Sequence, residues 1–404
     1  MPSTKALTFP FAREESFEPP TENARLRHAC PITKVKLFDN TEAWLLTRRK
    51  DCCTILASED VSADRRHPGY PEIHEGGAKA KEKRPTFVNL DNPAHKDQRA
   101  LLDPYFTKKA TDKLRPMIQT VVDSMLDKMV KEHGEHTNKP VEFIHSFAGP
   151  IPPQVIYHLL GIPEKDIPVL SQDSEVRTST SRNAAETSNS NLQEYMRKYV
   201  QMRMQNPQQD LVSHLVQGPL QQGELELEDV VELAFLVLVA GNAALINSIA
   251  LGVITLLEHP DQLDEFKTDP SLAPQVVSEL LRYNTTSALN SRRAVKHEIE
   301  VGGQQLKPDE RVICAVQSAD RDEEHFDNPD SFNIHRTVRS EDILGFGWGI
   351  HRCQGEWLSR AELEIVFATL FRRLPNLRLA EDKNKLKWTP PTQNIGVMEM
   401  PVLW

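Results

Sequence analysis

Apolar residues recur at helical spacing along much of this chain. Between residues 97 and 133 they fall at Leu101, Tyr105, Leu114, Ile118, Val121, Met125 and Met129, which predicts helix. The same spacing predicts helices over residues 153–160, 191–204, 228–258 and 274–283. It returns after residue 355 at Leu358, Ala361, Leu363, Val366, Phe367 and Leu370. Strand-like runs are shorter. Val35-Lys36-Leu37-Phe38 and Ala43-Trp44-Leu45-Leu46 follow a proline-rich entry, and residues 292–316 read as strands with Gly302-Gly303 as the turn. Residues 64–85 shift to Gly, Pro, Lys and His, which predicts a mobile loop with interleaved basic residues. Residues 171–191, rich in Ser, Thr and Asn, read as polar or partly mobile. The pattern predicts a mainly α protein with small β-sheets.

The stretch from Leu233 to Leu257 is almost wholly apolar and long enough to span a bilayer. It lies mid-chain, follows acidic residues and contains Asn242, Asn247 and Ser248. A helix that is apolar all round also suits the core of a large protein, and that is the expectation here. The first residues, Met1-Pro2-Ser3-Thr4-Lys5, lack the apolar core of a signal peptide, so a cytoplasmic chain without a membrane anchor is expected. The net charge of −10 argues against a nucleic-acid partner but leaves room for a local basic site. Five cysteines (Cys30, Cys52, Cys53, Cys314 and Cys353) without paired spacing predict no disulfide framework and a reducing compartment. Cys52 and Cys53 are expected to be structural.

Cys353 is different. It lies near the end of the run Gly345-Phe346-Gly347-Trp348-Gly349-Ile350-His351-Arg352-Cys353-Gln354-Gly355, which feeds the last apolar-periodic segment. A cysteine at a helix entrance feels exposed backbone N–H groups and the positive end of the helix dipole, both of which favour the thiolate. The glycines permit close backbone approach. A packing cysteine does not need such a ladder, and a zinc site would want further Cys or His at short spacing. A Cys-His hydrolase is formally possible but has no other support in the chain. A thiolate held this way is a good axial ligand for haem iron.

The pattern Phe346-x-x-Gly349-x-x-x-Cys353-x-Gly355 resembles the haem-binding loop of cytochromes P450. Glu279-Leu280-Leu281-Arg282 matches that family's Glu-x-x-Arg pair, whose members share a helix face. Arg336, in Phe332-Asn333-Ile334-His335-Arg336, matches the arginine that completes its network. His95 and Arg99 stand one helical turn apart and suit a carboxylate. The resemblance implies one domain over residues 1–404, with haem b between the long central helix and the cysteine loop. It makes Cys353 the iron ligand, and His95, Arg99, Arg293 and His351 the residues that hold the haem propionates.

Nearly end to end, the chain resembles the soluble fungal P450 nitric oxide reductases more narrowly. Arg84-Pro85-Thr86-Phe87-Val88, Val239-Ala240-Gly241-Asn242-Ala243 and Glu258-His259-Pro260-Asp261-Gln262-Leu263 are among the segments that carry this likeness. That family passes hydride from NADH or NADPH to haem-bound nitric oxide and uses no electron-transfer partner. Arg65, Arg177 and Arg292 match its nucleotide-binding basic positions, while another is lost at Ala63. Ser287 matches its proton-route serine. Two positions depart: its threonine is Ala244 here, and its carboxylate near the carboxyl terminus is Asn394. Neither alanine nor an amide can serve as that acid or base. Three functions follow from the resemblance. The first is NAD(P)H-dependent reduction of nitric oxide with an altered proton path. The second is oxidation or coupling of an organic small molecule, a monooxygenase-like chemistry that admits a redox partner protein. The third is gas sensing without catalysis.

Overall fold

The computed structural model describes residues 7–13, 18–177 and 182–404. Its contacts separate two compact units, each assembled from several stretches of chain. The first takes residues Met1–Lys96, Ala250–Gln354 and Glu381–Glu399, the second Asp97–Ile249, Gly355–Ala380 and Met400–Trp404.

The first unit is built on a five-stranded sheet. Its order is Ile32–Lys36, Glu42–Leu46, Arg311–Cys314, Arg292–Val295, Val61–Ser62. The first pair is an antiparallel hairpin in register Ile32↔Leu46 and Lys36↔Glu42, and Glu42–Leu46 then runs parallel to Arg311–Cys314. Side chains alternate across this sheet as the strand period demands. Ala43, Leu45 and Ile313 face one core with Phe9, Leu26, Val35 and Ile73. Leu46, Val312 and Cys314 face another with Cys52, Ile55, Leu56, Val295 and Leu344. Burial in that second core raises the Cys52 thiol pKa well above its ordinary value, so Cys52 is structural as expected. The expected Gly302-Gly303 turn joins Ile299–Val301 to Gln304–Leu306, both glycines having positive φ.

The second unit is mainly helical. Lys108–His133 starts on Thr107, whose side chain accepts the Ala110 N–H, and stops at Gly134 with φ +94. It packs against Glu356–Arg373, joined by an ion pair between Arg115 and Glu364. A three-stranded sheet of Val141–Glu142, Pro401–Leu403 and Arg378–Leu379 completes it.

Three expectations change. Residues 97–133 form two helices, Ala94–Phe106 and Lys108–His133, because Thr107 caps a new start. Residues 228–258 likewise divide into Leu227–Ala240 and Asn242–Glu258 at Gly241. This stretch is long and apolar enough to cross a membrane, and half of its most apolar window is buried. The polar region 171–191 is helical where it is described, within Ile167–Arg177 and Arg182–Gln205. Ser, Thr and Asn are weak helix formers, but Ser188, Leu192, Met196, Tyr199 and Arg203 form a buried stripe at helical spacing.

Candidate active site

Residues 343–355 wind through two 3₁₀ turns, Leu344–Phe346 and Gly349–His351, before the helix that begins at Glu356. Gly347 and Gly349 have φ of +77° and +70°, a region where a side chain is strained. A Cβ on Gly349 would lie 2.6 Å from the Leu56 carbonyl oxygen, so only glycine fits there. Backbone bonds fix the tip: Gly347 N–H donates to Leu344 O at 2.8 Å, and Cys353 N–H to Phe346 O at 2.7 Å. The Arg352 guanidinium donates to the carbonyls of Gly347 (2.9 Å) and Ser340 (2.5 Å). The loop therefore holds its own shape and leaves Cys353 exposed.

Beneath it lies the predicted charge network. Glu279 and Arg282 are fully buried and form a bidentate pair, Nε and Nη2 each 2.7 Å from a carboxylate oxygen. Arg336 Nε reaches Glu279 Oε1 at 3.2 Å. Arg282 Nη1 donates further to the carbonyls of Asp320 (2.9 Å) and Pro329 (2.8 Å). Sequence reasoning missed Asp320. This wholly buried carboxylate accepts the backbone N–H groups of Leu344 (2.7 Å) and Gly345 (3.0 Å) at the entrance of the cysteine loop. An acid between Ala319 and Arg321 carries no spacing signal that marks it as buried.

The residues expected at a haem fall into place unevenly. The His95 and His351 rings meet, with centroids 4.4 Å apart, and His95 is buried. Arg293 is buried as well. Among the described residues its guanidinium makes one hydrogen bond, from Nη1 to Arg292 O at 2.8 Å, and no ion pair. Burial lowers its pKa, against the weaker pull of Tyr70, Cys314 and Asp91. An anionic group is the natural partner for such a cation. With the exposed Cys353 sulfur and the glycine cradle, these residues fit a haem with thiolate ligation. Arg99 lies one turn after His95 on the same helix, 3.7 Å from Asp103.

The nucleotide and proton positions are less open than expected. Arg65 and Arg292 do converge, but on Glu72. Arg65 binds its carboxylate through Nε and Nη2 at 2.7–3.0 Å, and Arg292 Nη1 lies 3.2 Å away. Both guanidinium groups also face the Tyr70 ring, at 5.9 and 5.3 Å. The trio keeps one net positive charge, and Arg292 Nε is buried without a hydrogen-bond partner among the described residues. Glu72 is seven residues from Arg65 but far from Arg292 in sequence, so no local pattern revealed it. Arg177 ends its helix, and its side chain lies outside the described residues. Asn394 Oδ1 accepts the Leu289 N–H at 3.2 Å, which ties it to the turn that carries Ser287. Ala244 contributes no polar side chain, and the Ser248 hydroxyl donates to its carbonyl at 2.9 Å.

Comparison with known proteins agrees with this geometry. The profile of the family described as Cytochrome P450 matches residues 270–401. Cytochrome P450 55A3 of Fusarium lichenicola is 44% identical, over 100% of this chain and 98% of that protein. Pentalenic acid synthase of Streptomyces avermitilis is 35% identical over 98% and 97%. The crystal structure of GfsF superposes with a TM-score of 0.92 at 31% identity, covering 99% of this chain and 100% of that one. That of the P450 MoxA from Nonomuraea recticatena gives 0.92 at 34%, with 98% of each covered. This chain, with a cysteine held in a glycine-built loop beside a buried Glu-Arg-Arg network, is alike from end to end to these P450s, and it belongs to the cytochrome P450 family.

Proposed function

We propose that this P450 reduces nitric oxide to nitrous oxide with NADH or NADPH as direct donor. The balance is two nitric oxide, one NAD(P)H and one proton to nitrous oxide, water and NAD(P)⁺. In this reading Cys353 ligates the haem iron, and His95, Arg99, Arg293 and His351 hold the propionates. When bound, the haem supplies the metal centre at which nitric oxide is reduced. Arg65, Arg177 and Arg292 attract the pyrophosphate of the nucleotide, which competes with Glu72 for the two arginines that Glu72 now holds. Ser287 and Asn394 mark the proton route, where the amide can pin the turn but cannot exchange a proton as a carboxylate does.

The observation that carries the reading is Asn242-Ala243-Ala244 at the start of the helix Asn242–Glu258. Oxygen activation consumes two protons for each water released. The hydride reaction draws one proton from solvent, because the other hydrogen arrives as hydride. Ala243 offers no carboxylate, so the segment lacks the acid that monooxygenases use and suits the less demanding reaction; Ala244 lacks a hydroxyl that the nitric oxide reductases also carry, so it favours neither reaction. The 44% identity to Cytochrome P450 55A3, against 35% to pentalenic acid synthase, supports the same choice. We also read residues 1–404 as one P450 domain, which end-to-end likeness supports, and as cytoplasmic, which five cysteines without paired spacing support.

A second reading, oxidation of an organic molecule, is favoured by a different finding. Relatives at 33–35% identity include proteins named pentalenic acid synthase and vitamin D3 dihydroxylase. NADH consumption by the purified holo protein under argon, with and without nitric oxide and with no reductase added, separates the two. Consumption only when nitric oxide is present supports reduction. No consumption with either nucleotide favours the organic substrate.

A further inference from the structure

Asp320 has no place in the reaction outlined above, yet the structure invests heavily in it. Its side chain is wholly buried. Oδ1 accepts the Leu344 N–H at 2.7 Å and Oδ2 the Gly345 N–H at 3.0 Å. Oδ2 also lies 2.9 Å from the Thr285 hydroxyl, which in turn lies 2.9 Å from the Arg282 carbonyl. One hydroxyl proton cannot serve both acceptors. Either Thr285 donates to an ionised Asp320, or a protonated Asp320 donates to Thr285 and Thr285 donates to Arg282 O.

Thr285 is itself strained. Its φ of +37° is left-handed, a region that a β-branched residue rarely occupies. Such strain persists where surrounding contacts over-determine it. Here a Cβ on Gly345 would come within 3.3 Å of the Thr285 methyl, so the loop entrance and the end of the helix Ala273–Asn284 are closely fitted.

The charges around Asp320 are few. Arg49 Nη1 is 3.9 Å from Oδ1, but its guanidinium is committed to the carbonyls of Glu341 and Asp342, both at 2.6 Å. Arg282 bonds the Asp320 carbonyl rather than its carboxylate. Asp322 is occupied by the Arg49 N–H at 2.7 Å. The partly buried Cys53 thiol is a further titratable neighbour, and burial raises its pKa. Burial likewise raises the Asp320 pKa to about 6, against the pull of the Leu344 N–H, Arg49 and Thr285.

We propose that Asp320 and Thr285 form a proton-sensitive clamp that positions the entrance of the Cys353 loop, an inference that rests on Cys353 being the haem ligand. As an anion, Asp320 grips both loop amides with charge-assisted bonds. With a proton on Oδ2, the grip on Gly345 falls to that of a neutral hydroxyl, roughly half as strong. The raised pKa fixes the sign of the stability effect. The contribution of Asp320 to global stability is full below the ordinary carboxylate pKa and is lost as pH rises through about 6. At neutral pH the charge is therefore a cost to the fold, retained for its hold on the loop.

The test uses the holo protein, wild type beside Asp320→Asn and Thr285→Val. An amide accepts one loop N–H and opposes the other with its own N–H₂. Hydrogen exchange in the segment 343–347 should then be about tenfold faster in Asp320→Asn, as loss of a bond to a charged group implies. Its melting temperature at neutral pH should be no lower than wild type. Its carbonyl complex should show less thiolate-type absorption. In the wild type the thiolate fraction should fall as pH drops through a midpoint near the Asp320 pKa. Thr285→Val removes a donor to the anion, so it should move that midpoint to higher pH. Wild-type exchange and thiolate fraction in Asp320→Asn overturn the clamp. Should that variant not take up haem, an unmoved midpoint in Thr285→Val overturns it as well. Exchange is read without reference to the thiolate. Faster exchange together with a wild type that never shows thiolate absorption would overturn the ligand reading of Cys353, and with it the claim that the clamp serves the ligand.

Discussion

At the scale of single residues, the proposed chemistry rests on Cys353 and on the glycines that shape its approach. Cys353→Ala should abolish the thiolate-type carbonyl spectrum of the reduced protein, and a variant that keeps it would remove the assignment. The glycines separate sharply. Gly349→Ala must adopt a left-handed backbone, costing about 1–2 kcal/mol, and also collides with the Leu56 carbonyl. A Cβ on Gly355 meets nothing within 4 Å. Haem content of the purified variants checks this contrast: low for Gly349→Ala, near wild type for Gly355→Ala. Glu72 gives the other residue-scale prediction. Glu72→Gln removes the carboxylate that competes for Arg65 and Arg292, so the KM for NADH should fall and its dependence on ionic strength should steepen. A KM that rises would mean that Glu72 holds the arginines in their binding geometry. The tight turns around Cys353 were legible in the sequence because the glycine ladder is local. Glu72 and Asp320 were not, because Arg292 and the loop amides of Leu344 and Gly345 lie far from them in the chain.

At the scale of elements, the helix Ala273–Asn284 carries the network that supports the loop. Glu279, Arg282 and Arg336 are bonded as their sequence pattern predicted, and Arg282 also ties down the carbonyls of Asp320 and Pro329. Arg282→Ala takes the bidentate partner from the buried Glu279 carboxylate and leaves it Arg336 as its cation, a loss of about 3–5 kcal/mol. The variant should be recovered in low yield and poor in haem, as absorbance per protein would show. Full haem content would mean that the network is dispensable. Helices with an apolar stripe were legible from their period. Their breaks at Thr107 and Gly241 were not, because the apolar stripe runs across a cap or a single glycine without interruption. The helical character of the region 171–191 was not legible because its composition is polar, and the buried stripe of Arg182–Gln205 lies mostly beyond it, at Leu192, Met196, Tyr199 and Arg203.

For the whole molecule, family membership is fixed by end-to-end likeness, and the choice of reaction turns on proton supply. Ala244 and Asn394 remove two groups of a kind that typically contributes about 10²–10⁴-fold to rate. The double variant Ala244→Thr with Asn394→Asp should therefore raise the rate of nitrous oxide formation, as gas chromatography would record. An unchanged rate would place proton delivery elsewhere in the chain. The most direct test of the account is stopped-flow mixing of the nitric-oxide-saturated holo protein with NADH or NADPH, each with hydrogen or deuterium at the transferred position, in the absence of any reductase. The account predicts rapid nucleotide oxidation, slowed by deuterium and by salt, with one nitrous oxide formed for each nucleotide consumed. A protein that ignores both nucleotides under these conditions contradicts it.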